Sequence, residues 1–222
     1  MLKYKIYVLF LFVLTLVGIN YISAKNNTLP LLGKIIYIDP GHGGLDPGAM
    51  YQNIKEKDIN LQISKTLENN LTKLGAIVFL TRYGDYDLSV NNTINRKRSD
   101  LSRRGNIINK SDCDLFLSIH LNAEDSGVWR GAQVFYNDGN KKNKQIAEIL
   151  QSYFKKNLNS TREYKKSNDL YLQKRIEKTG VLIEVGFLSN PSDRYLLKQK
   201  SYHNRVSNII SQAIIEFFQK NS

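Results

Sequence analysis

A single cysteine, Cys113, in 222 residues excludes an internal disulfide, so any exported form of this chain relies on its core alone. The same scarcity rules out a cysteine-rich zinc site. No cysteine closely follows the apolar leader, so a lipid-modified start is unsupported. Four prolines and few biased runs argue against a disordered chain, and a hydrophobic fraction of 41% is enough for a core. Acidic residues are outnumbered, 20 against 32 basic, which leaves a formal net charge of +12. Such a surface attracts polyanions. Charge alone does not separate nucleic acid from acidic wall polymers or from a merely solubilising surface. For an outward-facing domain the wall polymers are the expected partner, and nucleic acid is not. No internal repeat and no second domain are visible.

What is present begins with MLKYKIYVLFLFVLTLVGINYISAKNN. Lys3 and Lys5 precede an apolar run from Ile6 to about Ile22. This reads as a secretory signal or an uncleaved membrane anchor over residues 1–27, near the lower length limit for a span. The basic tip stays on the cytoplasmic side, so residues 28–222 face outward as one domain.

Beyond Asn27 the pattern is globular. KIIYID is a short β-branched run and reads as a buried strand. After a Gly/Pro loop, Ile59, Ile63, Leu67, Leu71 and Leu74 recur at helical spacing up to Gly75. AIVFLTR is a second strand, and Asp85 to Ser99 a long polar loop. A helix near Leu101 to Asn109, the strands DLFLSIHLNA and GAQVFY, and a helix through Ile146 and Phe154 follow. Asn157 to Lys178 reads as a polar surface excursion, GVLIEVGFLSN as a buried strand, and a last helix closes the chain. This alternation predicts a single α/β domain: a twisted, mostly parallel sheet flanked by helices on both faces.

On that scaffold His42, His120 and Glu184 fall near the carboxyl ends of strands, and Glu56 opens the first helix. Functional residues of open α/β sheets gather at that edge. Two imidazoles and a carboxylate, with a position left for water, suit catalytic zinc, and a second carboxylate can move the proton. That inventory fits amide hydrolysis. Against it stands the ordinary reading of a histidine at a strand end as a satisfied polar residue. His203, in KSYHNR, reads as solvated on a helix.

Four blocks, IYIDPGHGGLDPGA, KEKDIN, LFLSIHLNA and IEVGFLSN, stand in an order and spacing that resembles the zinc-dependent N-acetylmuramoyl-L-alanine amidases of the amidase-3 family. The resemblance covers nearly the whole chain after residue 33. It implies Zn2+ held by His42, Glu56 and His120 at the C-terminal ends of the strands, with Glu184 as the catalytic glutamate. It implies cleavage of the amide between the lactyl group of muramic acid and L-alanine of peptidoglycan stem peptides.

RKRSDLSRRGNIIN and VWRGAQVFY are similar to the sporulation- and germination-specific CwlD type. That narrower likeness implies spore cortex as substrate, a step toward muramic-δ-lactam, a site between the forespore membranes, and an activating lipoprotein partner. Alternatives are a general vegetative wall amidase, a zinc carboxypeptidase acting on stem peptides, and a non-catalytic wall-binding protein.

Other residues have two readings each. Asp39 either orients a ligand histidine or caps the loop. Asn122 either binds substrate or closes a turn. Arg96, Arg98, Arg103 and Arg104 either pair stem-peptide carboxylates or lie on a solvated helix face, the latter expected for most. Trp129 and Tyr136 either line a glycan groove or pack. Gly41, Gly43 and Gly44 are expected to let the backbone turn tightly around His42.

Overall fold

The β-branched runs become strands in the computed structural model, which describes residues 4, 7–15, 29–90, 93–167 and 170–221. In chain order the elements are β1 (Ile35–Pro40), β2 (Met50–Tyr51), β3 (Ile54–Lys55), α1 (Glu56–Lys73), β4 (Ile77–Leu80), α2 (Arg96–Lys110), β5 (Leu115–Asn122) and β6 (Gln133–Tyr136). They continue with α3 (Lys141–Leu158), β7 (Lys165–Lys166), α4 (Tyr171–Arg175), β8 (Gly180–Phe187), α5 (Pro191–Leu197) and α6 (Lys200–Gln219). The main sheet runs β4-β1-β5-β8-β6-β7, and β2 and β3 form a small hairpin. β4, β1, β5 and β8 are mutually parallel, while β6 enters antiparallel to β8. The fold is therefore the single, mostly parallel α/β domain that the alternation predicts.

Strand alternation divides the core. Ile36 and Ile38 of β1, Leu117 and Ile119 of β5, and Ile183 and Val185 of β8 face α1, α3 and α6. The opposite face carries Ile35, Tyr37 and Phe116, packed with Ile108 of α2 and Leu172 and Ile176 around α4. Cys113 joins that second cluster as a small core residue. Both faces are covered, as a parallel sheet requires.

Local sequence explains several element ends. Asn95, Asn140 and Asn190 each accept an amide hydrogen bond at the start of a helix, at α2, α3 and α5. Gly75, with φ of 96°, lets the chain leave α1 and enter β4. The segment read as a surface excursion contains β7 and α4, and α5 was not visible as a separate helix.

His203 departs from its expected place on a solvated face. It is 3% exposed, and its Nε2–H donates to the Leu197 carbonyl at 2.6 Å, tying α6 to the end of α5. The helical period places it on the inner face beside Val206 and Ile210.

Two compact units are distinguished, Met1–Pro30 and Leu31–Ser222. In the first, residues 7–15 are helical, with Val8 to Leu14 exposed. The rest of the run read as a signal or anchor lies outside the described residues. Among the described residues no helix is long and apolar enough to cross a membrane.

Candidate metal centre

β1 delivers the chain to the carboxyl edge of the sheet, where it turns through Gly41–Gly44. His42 itself adopts φ of 61°, a left-handed conformation that costs a non-glycine residue about 1 kcal/mol or more. Two buried guanidiniums hold that turn. Arg82 donates to the carbonyls of Pro40, Gly41, Lys57 and Gly84. Arg104 donates to the carbonyls of Pro40 and His42. Burial pulls Arg82 down to about 10, with the charge of Arg104 adding to the effect. Gly41 is required for space: a Cβ there would lie 2.3–2.6 Å from ring atoms of His120.

The side chains that converge are His42, Glu56 and His120, whose ligand atoms all lie within 4.8 Å of one another. Glu56 Oε1 is 3.2 Å from His42 Nε2 and 3.0 Å from His120 Nδ1. Metal bonds of about 2.0–2.1 Å in a tetrahedral arrangement separate neighbouring donors by roughly 3.3 Å, so this spacing fits one divalent cation. His42 Nδ1 lies 2.8 Å from Asp46 Oδ2, a bond that places the ring proton on Nδ1 and leaves the Nε2 lone pair toward the cluster.

The two glutamates occupy opposite environments. Glu56 Oε1 accepts the Leu121 amide and Asn60 Nδ2, and Oε2 accepts the Ala49 amide. Burial opposes its charge, yet the hydrogen bonds and charges of His120 and His42 hold its carboxyl far below the ordinary range. Glu184 sits opposite His120 in the β5–β8 register and lines the same cleft. Its Oε2 is buried with no hydrogen-bond partner among the described residues. Burial, followed by the negative charge of Glu56, pushes Glu184 up to about 8. The two surroundings thus push the carboxyls in opposite directions, Glu56 toward the anion and Glu184 toward the protonated form.

The remaining candidates separate. Asp39 neither orients a ligand histidine nor caps the loop. It is buried and accepts from Thr81 Oγ1, Ser118 Oγ and Arg104 Nη1. The orienting carboxylate is Asp46, whose position four residues after His42 in the Gly/Pro loop was the available signal. Arg104 is 1% exposed rather than solvated, paired with Asp39 at 2.9 Å and Asp100 at 2.9 Å. Arg96 pairs with Asp87, and Arg98 reaches the hydroxyl of Tyr171, while Arg103 is exposed. Asn122 Oδ1 accepts the next residue's amide while the residue lines the cleft. Trp129 is 52% exposed with the Arg162 guanidinium 4.8 Å from its ring centre, and Tyr136 packs against Tyr164. Sequence reasoning missed Asp46, Asn60, Arg82 and Asp100.

The cleft over the cluster has a volume of about 440 Å³. Asp46, Lys97 and Leu101 line it, and beside them Tyr171 to Gln173 of the segment read as a surface excursion, the two helices being joined where Arg98 and Ser102 meet the Tyr171 hydroxyl.

The chain resembles known proteins over most of its length. The family model described as N-acetylmuramoyl-L-alanine amidase matches residues 36–216. The chain is 43% identical over 203 residues to the germination-specific N-acetylmuramoyl-L-alanine amidase of Bacillus subtilis (strain 168), covering 90% of this chain and 86% of that protein. It is 32% identical over 192 residues to the amidase LytC of the same organism, covering 86% of this chain and 36% of LytC. Among solved structures, the CwlD amidase of Clostridioides difficile in complex with the GerS lipoprotein superposes with a TM-score of 0.81 at 35% identity. That match covers 85% of this chain and all (100%) of that one.

Proposed function

This chain belongs to the N-acetylmuramoyl-L-alanine amidase family, and we propose that it works with zinc on His42, Glu56 and His120 and with Glu184 as its proton carrier. Its reaction is hydrolysis of the amide between muramic acid and L-alanine in peptidoglycan. The observation that supports the assignment of roles is the contrast between Glu56, held as an anion by His120, His42 and two backbone amides, and Glu184, half-buried with one buried oxygen that has no partner. Two imidazoles and one carboxylate with room for water are a catalytic zinc donor set. When bound, zinc supplies a Lewis acid that polarises the scissile carbonyl and acidifies water.

The chain's own groups do the rest. Asp46 fixes the His42 ring by accepting from Nδ1. Asn60 and the amides of Ala49 and Leu121 fix the Glu56 carboxylate. Glu184 takes the proton of the attacking water on its carboxylate and passes it to the alanine nitrogen as the bond to carbon breaks. Burial, and then the charge of Glu56, raise the proton affinity of Glu184, which favours taking up that proton.

We extend this reading to spore cortex. Its support is that the Bacillus subtilis relative is described as germination-specific and that the Clostridioides difficile one was solved with the GerS lipoprotein. On this proposal residues 1–27 export or anchor residues 28–222, the catalytic domain, in the space between the forespore membranes. A lipoprotein assists there, and the stripped muramic acid proceeds toward muramic-δ-lactam. Digestion of purified cortex and vegetative wall, with and without zinc, tests it by mass analysis. Peptides beginning with free L-alanine, released preferentially from cortex and only with zinc, are expected. Equal release from both walls would reassign the enzyme to vegetative wall, and peptides shortened at their carboxyl end would indicate a carboxypeptidase.

A further inference from the structure

The cleft is chemically asymmetric. Beyond the metal ligands, one part of its wall is built from Lys97 and Leu101 of α2 and from Tyr171, Leu172 and Gln173 of α4. Lys97 is exposed, and among the described residues no carboxylate lies within ion-pair distance of it. The nearby acids are already engaged: Asp46 with His42, Asp87 with Arg96, and Asp100 with Arg104. The neighbouring cations are engaged too, Arg98 and Arg175 with Tyr171. Lys97 also sits in the first turn of α2, which holds no acidic residue, so its charge opposes the helix dipole. Gln173, on the same wall and 1% exposed, has a buried Oε1 without a partner, while its Nε2 is held by the Phe135 carbonyl. A cation without an ion-pair partner, felt only at longer range by Asp46, and a buried acceptor without a hydrogen bond on one wall match a peptide, which offers carboxylates and amide hydrogens. The glycan offers neither a free carboxylate nor an apolar peptide side chain there, since the lactyl carboxyl is the one in the scissile amide.

We infer that the Lys97–Tyr171–Gln173 wall is the peptide side of the cleft, with Lys97 pairing a free carboxylate of the stem peptide and so selecting unamidated substrate. This deepens the amidase reading and rests on it. Leu101 covers the aliphatic part of the peptide, and Gln173 Oε1 accepts one of its amide hydrogens.

The test uses the full chain loaded with zinc and muramoyl peptides in matched pairs. Each pair carries a carboxylate or a carboxamide at the second residue, or at the third. For one pair, amidation raises the wild-type KM by about three- to tenfold with kcat within about twofold, the size of a partly exposed ion pair. That pair identifies which carboxylate is read. Lys97→Ala raises KM for its carboxylate form by the same factor and leaves the amidated form unchanged, while Lys97→Arg restores discrimination. Added salt raises the wild-type KM toward that of Lys97→Ala. Affinities of the same pairs for the Glu184→Gln protein follow the same pattern without turnover. Equal effects of Lys97→Ala on both members of every pair, or none, overturn the inference while hydrolysis persists. Failure of the wild type to cleave any member removes the amidase reading and this inference with it.

Discussion

Nδ1 of His42 lies 2.8 Å from Oδ2 of Asp46, and the other oxygen of Asp46 accepts the Gly48 amide. The carboxylate therefore sets both the tautomer of the His42 ring, a candidate ligand, and the path of the loop toward Glu56. Replacing Asp46 by alanine is expected to lower metal affinity about 10- to 100-fold, with Asp46→Asn in between. Competition against a chelator of known affinity measures this. Unchanged affinity in Asp46→Ala would show that the ring is held by the Arg82 and Arg104 contacts alone.

Glu184→Gln is expected to retain zinc and to lose turnover by about 10²- to 10⁴-fold, the usual scale for a general acid–base group. A pH signature accompanies it in the metal-free protein. Burial raises Glu184 from 4.5 to about 8, so between those values the folded state keeps a proton that the unfolded state releases. Stability then falls as pH rises across that window. Glutamine removes this slope. Urea unfolding at several pH values from 5 to 9, compared between the two proteins, should give curves that diverge with rising pH; parallel curves would mean that Glu184 ionises normally.

Gly41→Ala places a methyl group where the His120 ring now lies. The ring has to move, and overpacking of this kind costs about 1–3 kcal/mol. The expected result is metal affinity reduced by an order of magnitude or more in a protein that still folds. Zinc content after dialysis is the measurement. Full stoichiometry with wild-type affinity would mean that the β1 turn relaxes instead.

Asp39 and Arg104 are both 1% exposed and joined at 2.9 Å. Removing Asp39 leaves Arg104 with Asp100 alone and orphans the Thr81 and Ser118 hydroxyls, so Asp39→Ala is expected to cost about 3 kcal/mol, the low end for a broken buried pair. Burial works to raise Asp39, but Arg104 and the Thr81 hydroxyl hold it below its ordinary 3.8. Its contribution is complete above that ordinary value and is lost as pH falls through the lowered one. Thermal unfolding from pH 2 to 7 should show an acid limb in the wild type that is flatter in Asp39→Asn. An equally steep limb in both would assign acid sensitivity to other carboxylates.

The fold class and the order of elements were legible because each strand is a compact β-branched run and each long helix has an unbroken apolar stripe. His42, His120 and Glu184 could be placed near strand ends for the same reason, and Glu56 at a helix start, since chain direction alone sends those ends to one edge of a parallel sheet. Residue types at that edge suggested a metal and amide hydrolysis. Residue chemistry could not say which glutamate binds and which moves protons, since both are carboxyls. The contrast that supports the proposed roles arises only when His120, 64 residues from Glu56, completes its hydrogen bonds and when the fold buries one oxygen of Glu184 without a partner. Arg104 and His203 were misplaced for a related reason. A charged or polar residue on a helix is buried or exposed according to partners distant in sequence, such as Asp39 for Arg104, and periodicity carries no information about them. Lys97 lies on the same helix as Arg104, seven residues earlier, and is left unpaired only because the folded arrangement gives every nearby carboxylate another partner. Local pattern determined the scaffold and the edge where its reactive groups collect. Burial and long-range pairing, which exist only in the folded chain, decided the surroundings in which each of those groups sits.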